Sequence, residues 1–310
     1  MALALFAAGC GDDEPQTGRD SGEGVTLRIA VNPWTGSAVN ANVAKILLER
    51  ELGYTVELVE IDENTQFPAL ASGALDASLE IWPSGHAADI QRYIEGRRGG
   101  PLRDGGVVRG GELGLIGNIG WWVPNYLVEE RPELARHQGL RGSEDLVGGE
   151  FLAADPTFVS YDEEIIESLG LDLEVVHTGS EQALIDRLDS AIANEEPVLT
   201  YFYEPHWAHR KFDLTEVQLP AFDEECEEAA RERDGEGYDC DYANDVLFKA
   251  FWLGLEDKAP AAFEFLSKFR YTTDDQQEIA FLVDSEGVPM RQAAQRWIDD
   301  NPEVWRPWLP

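Results

Sequence analysis

Four aromatic residues stand just past stretches that read as strands: Trp34, Trp82, Phe158 and Tyr203. Aromatic ring faces attract cations without a counter-charge, and quaternary ammonium groups are the usual guests of such cages. Core packing is the competing account for any one of them, because large aromatics dominate cores. Four at comparable places are harder to explain by packing alone. Other chemistry is thinly signalled. The sequence has no GxSxG, no HExxH, no P-loop and no GxGxxG after a strand. Histidine occurs five times, as His86, His137, His177, His206 and His209, and acidic pairs are too common in this chain to mark a site.

The elements that would position these rings alternate. Thr26 to Val31 predicts a strand, Ser37 to Leu52 a helix with Val39, Val43, Ile46 and Leu47 on one face, and Gly53 a left-handed stop. Thr55 to Ile61 predicts a strand, Gln66 to Ser72 a short helix, and Ala77 to Trp82 a third strand. Strand-helix-strand alternation is the signature of a parallel α/β sheet. A second series is expected after the Gly-rich stretch from Gly99 to Gly117. It comprises a strand at Phe151–Ala154 and a helix from Tyr161 to Leu169, with Ser160 and Glu163 as a capping box. A strand from Leu173 to His177, a helix capped by Ser180 and a buried strand from Val198 to Tyr203 follow. Beyond Leu219 the chain reads as mostly helical, with Pro260 and Pro289 at first helical positions and a last stripe of Met290, Ala294, Trp297 and Ile298. Ligands of open α/β sheets bind at the carboxyl ends of strands, where the four rings lie.

The 310 residues fit roughly two domains of about 150 residues. Sixty acidic residues against 24 basic ones give a net charge of −36, about one uncompensated charge per nine residues. Such a chain is unsuited to nucleic-acid phosphates or an anionic lipid surface, and it suits a high-salt medium that screens self-repulsion. No stretch reaches 18 apolar residues. The opening Met1-Ala2-Leu3-Ala4-Leu5-Phe6-Ala7-Ala8-Gly9-Cys10 is similar to the end of a bacterial lipoprotein signal peptide, in which Cys10 takes the lipid. Residues 11–24 are Gly-rich and acidic, and read as a flexible tether. Cys226 and Cys240 then remain, and a disulfide between them is expected, in a loop apart from the strand ends. A zinc site adding His206 and His209 matches no standard ligand spacing.

Several segments in order resemble the glycine betaine/proline betaine-type substrate-binding proteins of ABC importers. They are Ile29-Ala30-Val31-Asn32-Pro33-Trp34, Leu70-Ala71-Ser72-Gly73-Ala74-Leu75-Asp76-Ala77, Trp82-Pro83-Ser84-Gly85-His86, Gly120-Trp121-Trp122-Val123-Pro124-Asn125-Tyr126 and Pro197 to Trp207. The resemblance covers Thr26 to Pro310. It implies an α/β, two-lobed periplasmic-binding-protein fold (type II-like) with the ligand cleft between the lobes. Residues 1–10 are then a signal-peptide remnant, 25–117 and 220–310 the first lobe, and 118–219 the second. The lobes would hinge near Leu115–Gly120 and Val217–Ala221. The resemblance further implies a cage of Trp82, Phe158 and Tyr203, two of them departing from the family's Trp, with Trp34, Trp121 and Trp122 as possible supplements. It assigns a ligand carboxylate to His86 and to the backbone N–H groups of Val159 and Ser160.

The function this implies is capture of a small betaine-like quaternary ammonium solute for a membrane ABC permease, in osmoprotection. The protein would be an extracytoplasmic monomer on an N-terminal lipid, or periplasmic, with no cofactor, no metal and no catalysis. Choline, carnitine or an amino acid are alternative ligands of the same fold. An enzyme of two-lobed fold using His86 or Asp155 as acid/base is the alternative from another class.

Overall fold

The computed structural model describes residues 22–95, 106–232 and 235–310. The expected lipidation site Cys10, the signal-peptide remnant and residues 11–21 of the tether lie outside the described residues. The first series is β1 (Thr26–Val31), α1 (Thr35–Leu52), β2 (Thr55–Glu60), α2 (Glu63–Ala71) and β3 (Ala77–Ile81). β1 pairs in parallel with both β2 and β3. α1 buries Val39, Val43, Ile46 and Leu47 and stops at Gly53, whose φ of 75° suits a residue without Cβ. α2 begins three residues before the expected Gln66. Asp62 caps it by accepting the Asn64 N–H at 2.6 Å, which puts Glu63 in the first turn.

The chain continues through β4 (Val107–Pro124), β5 (Glu150–Ala153), α3 (Asp162–Leu169), β6 (Glu174–His177), α4 (Glu181–Ala193), β7 (Leu199–Glu204) and β8 (Leu214–Glu216). It closes with α5 (Glu224–Glu232), β9 (Asp245–Trp252), α6 (Pro260–Lys268), α7 (Thr273–Asp284) and α8 (Met290–Asp300). Strand order is β2-β1-β3-β9-β4-β7-β5-β6, with β8 also on β4. Within the Gly-rich stretch from Gly99 to Gly117, residues 107–117 are part of β4. β4 pairs with β9 from Val107 to Gly117, and from Asn118 onward with β7 and then β8. One strand thus joins the two halves of the strand order, and its partners change between Gly117 and Asn118.

Two further expectations meet differences. The tail beyond Leu219 is mostly helical, as expected, but it also supplies β9, which runs antiparallel between β3 and β4 in the middle of the strand order. Its sequence, DVLFKAFW, is buried on both faces and so lacks the alternation that marks a half-exposed strand. The Ser160–Glu163 capping box does not form either. α3 starts at Asp162 with no side-chain cap. Tertiary bonds set this start: the Tyr242 hydroxyl takes the Tyr161 N–H at 2.7 Å, and buried Asp162 accepts from Trp121 Nε1 at 2.7 Å and from the Tyr242 hydroxyl at 3.0 Å. Ser180 does cap α4, accepting the Ala183 N–H at 3.1 Å, and α7 and α8 return to pack on α1.

Cys226 and Cys240 are bonded to each other, both buried. Their loop is not apart from the strand ends. Tyr238 stacks on Tyr161 with centroids 4.3 Å apart, and α5 packs on the short turn Ser84–His86. Just beyond the loop, Asp245 accepts from the Ser84 N–H at 2.9 Å and from its hydroxyl at 2.7 Å. The bridged segment and the residues after it therefore brace both Tyr161 and the turn at Ser84–His86. Replacing both cysteines by serine is expected to lower stability by on the order of 3 kcal/mol, the chain-entropy value for a loop of this size. Thermal melting of the oxidised protein and of the double variant measures it, and coincident melting curves would show that the bridge contributes nothing.

Candidate functional site

One cavity gathers residues from the ends of several strands. It is lined by Trp34, Glu63, Trp82, Gly85, Ile119, Phe158, Val159, Tyr201 and Tyr203. Trp34 lies between β1 and α1, Trp82 directly follows β3, Phe158 and Val159 follow β5, and the two tyrosines lie on β7. The rings meet edge to face. Trp34 and Phe158 have centroids 5.7 Å apart at 87°, and Trp82 and Tyr203 are 5.4 Å apart at 81°. Perpendicular rings make corners, so several π faces can turn toward one volume. In each of these two pairs one ring stands by β1 or β3 and the other by β5 or on β7. Trp82 fits only because position 117 is glycine: a Cβ there would sit 2.3 Å from the indole.

Behind the rings stands a buried carboxylate. Glu80 Oε1 on β3 accepts from Trp34 Nε1 at 2.7 Å and from Trp82 Nε1 at 3.0 Å. Its Oε2 accepts from Asn40 Nδ2 at 2.5 Å and from Gln276 Nε2 at 2.8 Å. Burial pushes the Glu80 pKa up, against the downward pull of these four donors. The Tyr203 hydroxyl donates to Glu181 Oε2 at 2.5 Å, and Glu181 Oε1 accepts the Thr35 N–H at 3.1 Å, linking the starts of α1 and α4. Rings pinned by their polar edges cannot turn freely.

At one end of the cavity lies a second carboxylate, Glu63. Its Oε1 accepts the Val159 N–H at 2.6 Å, and its Oε2 is 3.0 Å from His86 Nε2. On the far side, His86 Nδ1 is 3.5 Å from Asp89. Burial alone would lower the His86 pKa, but hydrogen bonds to Asp89 and Glu63 outweigh it and hold it up at about 9. His86 is thus an imidazolium between two carboxylates at neutral pH.

The structure brings together Trp34, Trp82, Phe158, Val159 and Tyr203 of the expected set. His86 is buried behind Glu63 and does not line the cavity. Ser160 is not on the wall; its side chain bonds to Asp162. Trp121 is a correction: it is fully buried, packs on Phe151 with centroids 4.8 Å apart and donates to Asp162, so it belongs to the interior beside β5 and α3. Trp122 packs on His209 instead of the cavity. Sequence reading missed Tyr201, Ile119, Glu63 and Glu80. Tyr201 was findable, being two residues before Tyr203 and so on the same strand face. Glu63 and Glu80 had no signal in a chain with 60 acidic residues.

Among the described residues, Glu181, His206 and Asp284 each offer one metal-ligating atom within 4.8 Å of the others. The two carboxylates are already engaged: Glu181 by Tyr203 and Thr35, and Asp284 by Thr35 Oγ1 at 3.1 Å and Trp207 Nε1 at 2.7 Å. The two cysteines, bonded to each other, offer no thiolate for zinc.

Comparison with known proteins gives the same outline. The model of a family described as the substrate binding domain of ABC-type glycine betaine transport system matches residues 25–300. A trimethylamine N-oxide-binding protein of Pelagibacter ubique is 24% identical over 293 residues, 90% of this chain and 89% of that protein. A glycine betaine/carnitine transport binding protein of Listeria monocytogenes is 26% identical over 134 residues, and the match spans 43% of this chain and only 38% of that relative. Among solved structures, a glycine betaine/L-proline-binding protein of Borrelia burgdorferi superposes with a TM-score of 0.75 at 22% identity, covering 92% of this chain and 97% of that one. Lactococcal OpuAC, closed on glycine betaine, gives 0.69 at 20% identity, over 92% of this chain and all of that one. These structures establish the two-lobed fold.

The His86 environment makes a pH prediction. A pKa raised to about 9 from 6.5 means that the folded state holds a proton which the unfolded chain releases first. The stabilisation is complete below about pH 6.5 and is lost as pH rises through about 9. The melting temperature is expected to fall between about pH 7 and about pH 10 more steeply than that of His86→Gln, by an equivalent of at most about 3 kcal/mol. Parallel profiles for the two proteins would show that His86 does not carry this proton.

Proposed function

The chain belongs to the substrate-binding domains of ABC-type glycine betaine transport systems, and on that footing we propose that it captures a small quaternary ammonium solute in the ring-lined cavity between its lobes. The observation that carries this reading is the pair of tryptophans, Trp34 and Trp82, tied by their N–H edges to Glu80 and facing Phe158, Tyr201 and Tyr203. A desolvated cation over such faces gains up to about 2 kcal/mol per ring. The carboxylate behind the indoles adds negative potential to the same volume. The family is one of transport proteins, and catalysis has no part in this reading.

In this scheme a lipid on Cys10 and the tether of residues 11–24 hold the domain outside the cell membrane, where it meets its permease as a monomer. Residues 25–117 with 220–310 form one lobe and residues 118–219 the other. Closure about Gly117–Asn118 and the segment Val217–Ala221 brings Phe158, Val159, Tyr201 and Tyr203 onto Trp34 and Trp82. Small-angle scattering is expected to show a smaller radius of gyration at saturating ligand; identical curves with and without ligand would oppose a closing hinge.

Titration of tryptophan fluorescence with methylated ammonium compounds and with proline tests the assignment. The methylated compounds are expected to bind, and Trp82→Ala to weaken them all by about 1–3 kcal/mol, since it removes a ring face common to every such guest. Undiminished binding by a folded Trp82→Ala protein would remove Trp82 from the site.

A further inference from the structure

The resemblance assigns the corner formed by His86 and the Val159 N–H to a ligand carboxylate. In this chain both donors already hold a carboxylate, that of Glu63, at 3.0 Å and 2.6 Å. Glu63 is buried and lines the cavity beside the rings. It is well anchored: it sits in the first turn of α2, where the helix dipole favours a negative charge, and its donors come from both lobes.

Counting charges gives the consequence. Glu63, protonated His86 and Asp89 together carry one net negative charge, which a simple cation in the ring cluster cancels. A zwitterion cancels nothing. Its carboxylate, tethered close to its ammonium group, must either evict Glu63 from two hydrogen bonds or lie beside it without a donor, and burying an unpaired carboxylate is heavily unfavourable. A hydroxyl, by contrast, can donate to a Glu63 oxygen. Glu181, bonded to the Tyr203 hydroxyl, and Glu80, bonded to both indoles, add to the same negative field.

Resting on the reading of the ring cluster as a cation cage, we propose that Glu63 is a resident anion of the site. The guest this chain selects is then a methylated ammonium cation without a carboxylate, either an amino alcohol of the choline type or a tetraalkylammonium.

Isothermal titration calorimetry of the wild-type protein near neutral pH, with choline, tetramethylammonium and glycine betaine, tests this. Choline and tetramethylammonium are expected to bind roughly tenfold or more tightly than glycine betaine. Glu63→Ala, and Glu63→Gln should the alanine variant not fold, is expected to shift that ratio toward glycine betaine by roughly tenfold, because His86 and the Val159 N–H are then released from a charged partner. Glycine betaine binding as tightly as choline, or tighter, in the wild type overturns the proposal. So does an unchanged ratio in a folded Glu63 variant. Binding of none of the three compounds overturns the cage reading itself, and the proposal with it.

Discussion

The site depends on one buried carboxylate. Glu80 gathers the indole N–H groups of Trp34 and Trp82 on a single oxygen, and on the other it accepts Asn40 from α1 and Gln276 from α7. Four donors offset much of the cost of burying a charge. They also tie strand β3 to two helices, one from each end of the chain. The ring placement follows from this: both indoles are held at their N–H edges by the same oxygen, which restricts how either plane can rotate relative to the other. The hydroxyl of Tyr271 on Asn40 extends the network toward the C-terminal helices. The last quarter of the chain therefore supports the site without touching the cavity.

The legible part of the sequence was the part that repeats simple periods. The parallel strands β1, β2 and β3, the amphipathic α1 and the cap at Ser180 each follow from local pattern. Aromatic residues at strand ends could be singled out because strand ends in such sheets face a cleft. Trp121, which only the resemblance singled out, shows the limit of motif matching. It lies on β4 only one residue from Trp122, yet its N–H goes inward to Asp162, a bond invisible without the fold. Glu63 was hidden for a different reason. The pattern places the start of α2 at Gln66, three residues after its true start at Glu63, and so leaves Glu63 in a loop when it sits in the first turn and lines the cavity. β9 was missed because a strand buried on both faces has no alternating side.

The surplus of negative charge now has two levels. Exposed acidic residues give the molecule a long-range field that draws cations and that salt screens. Around the cavity, Glu63, Glu80 and Glu181 act at short range in a poorly hydrated setting, where each is held by specific donors. The first level acts on any cation that approaches. The second acts only beside the cavity, through carboxylates whose positions are already fixed.

The switch of β4 from one sheet to the other falls at Gly117, the residue whose missing Cβ makes room for the Trp82 ring. The point where β4 changes partners and the wall of the cavity are therefore the same few atoms. A side chain at position 117 would disturb both at once, the indole packed on it and the backbone where the strand passes from β9 to β7.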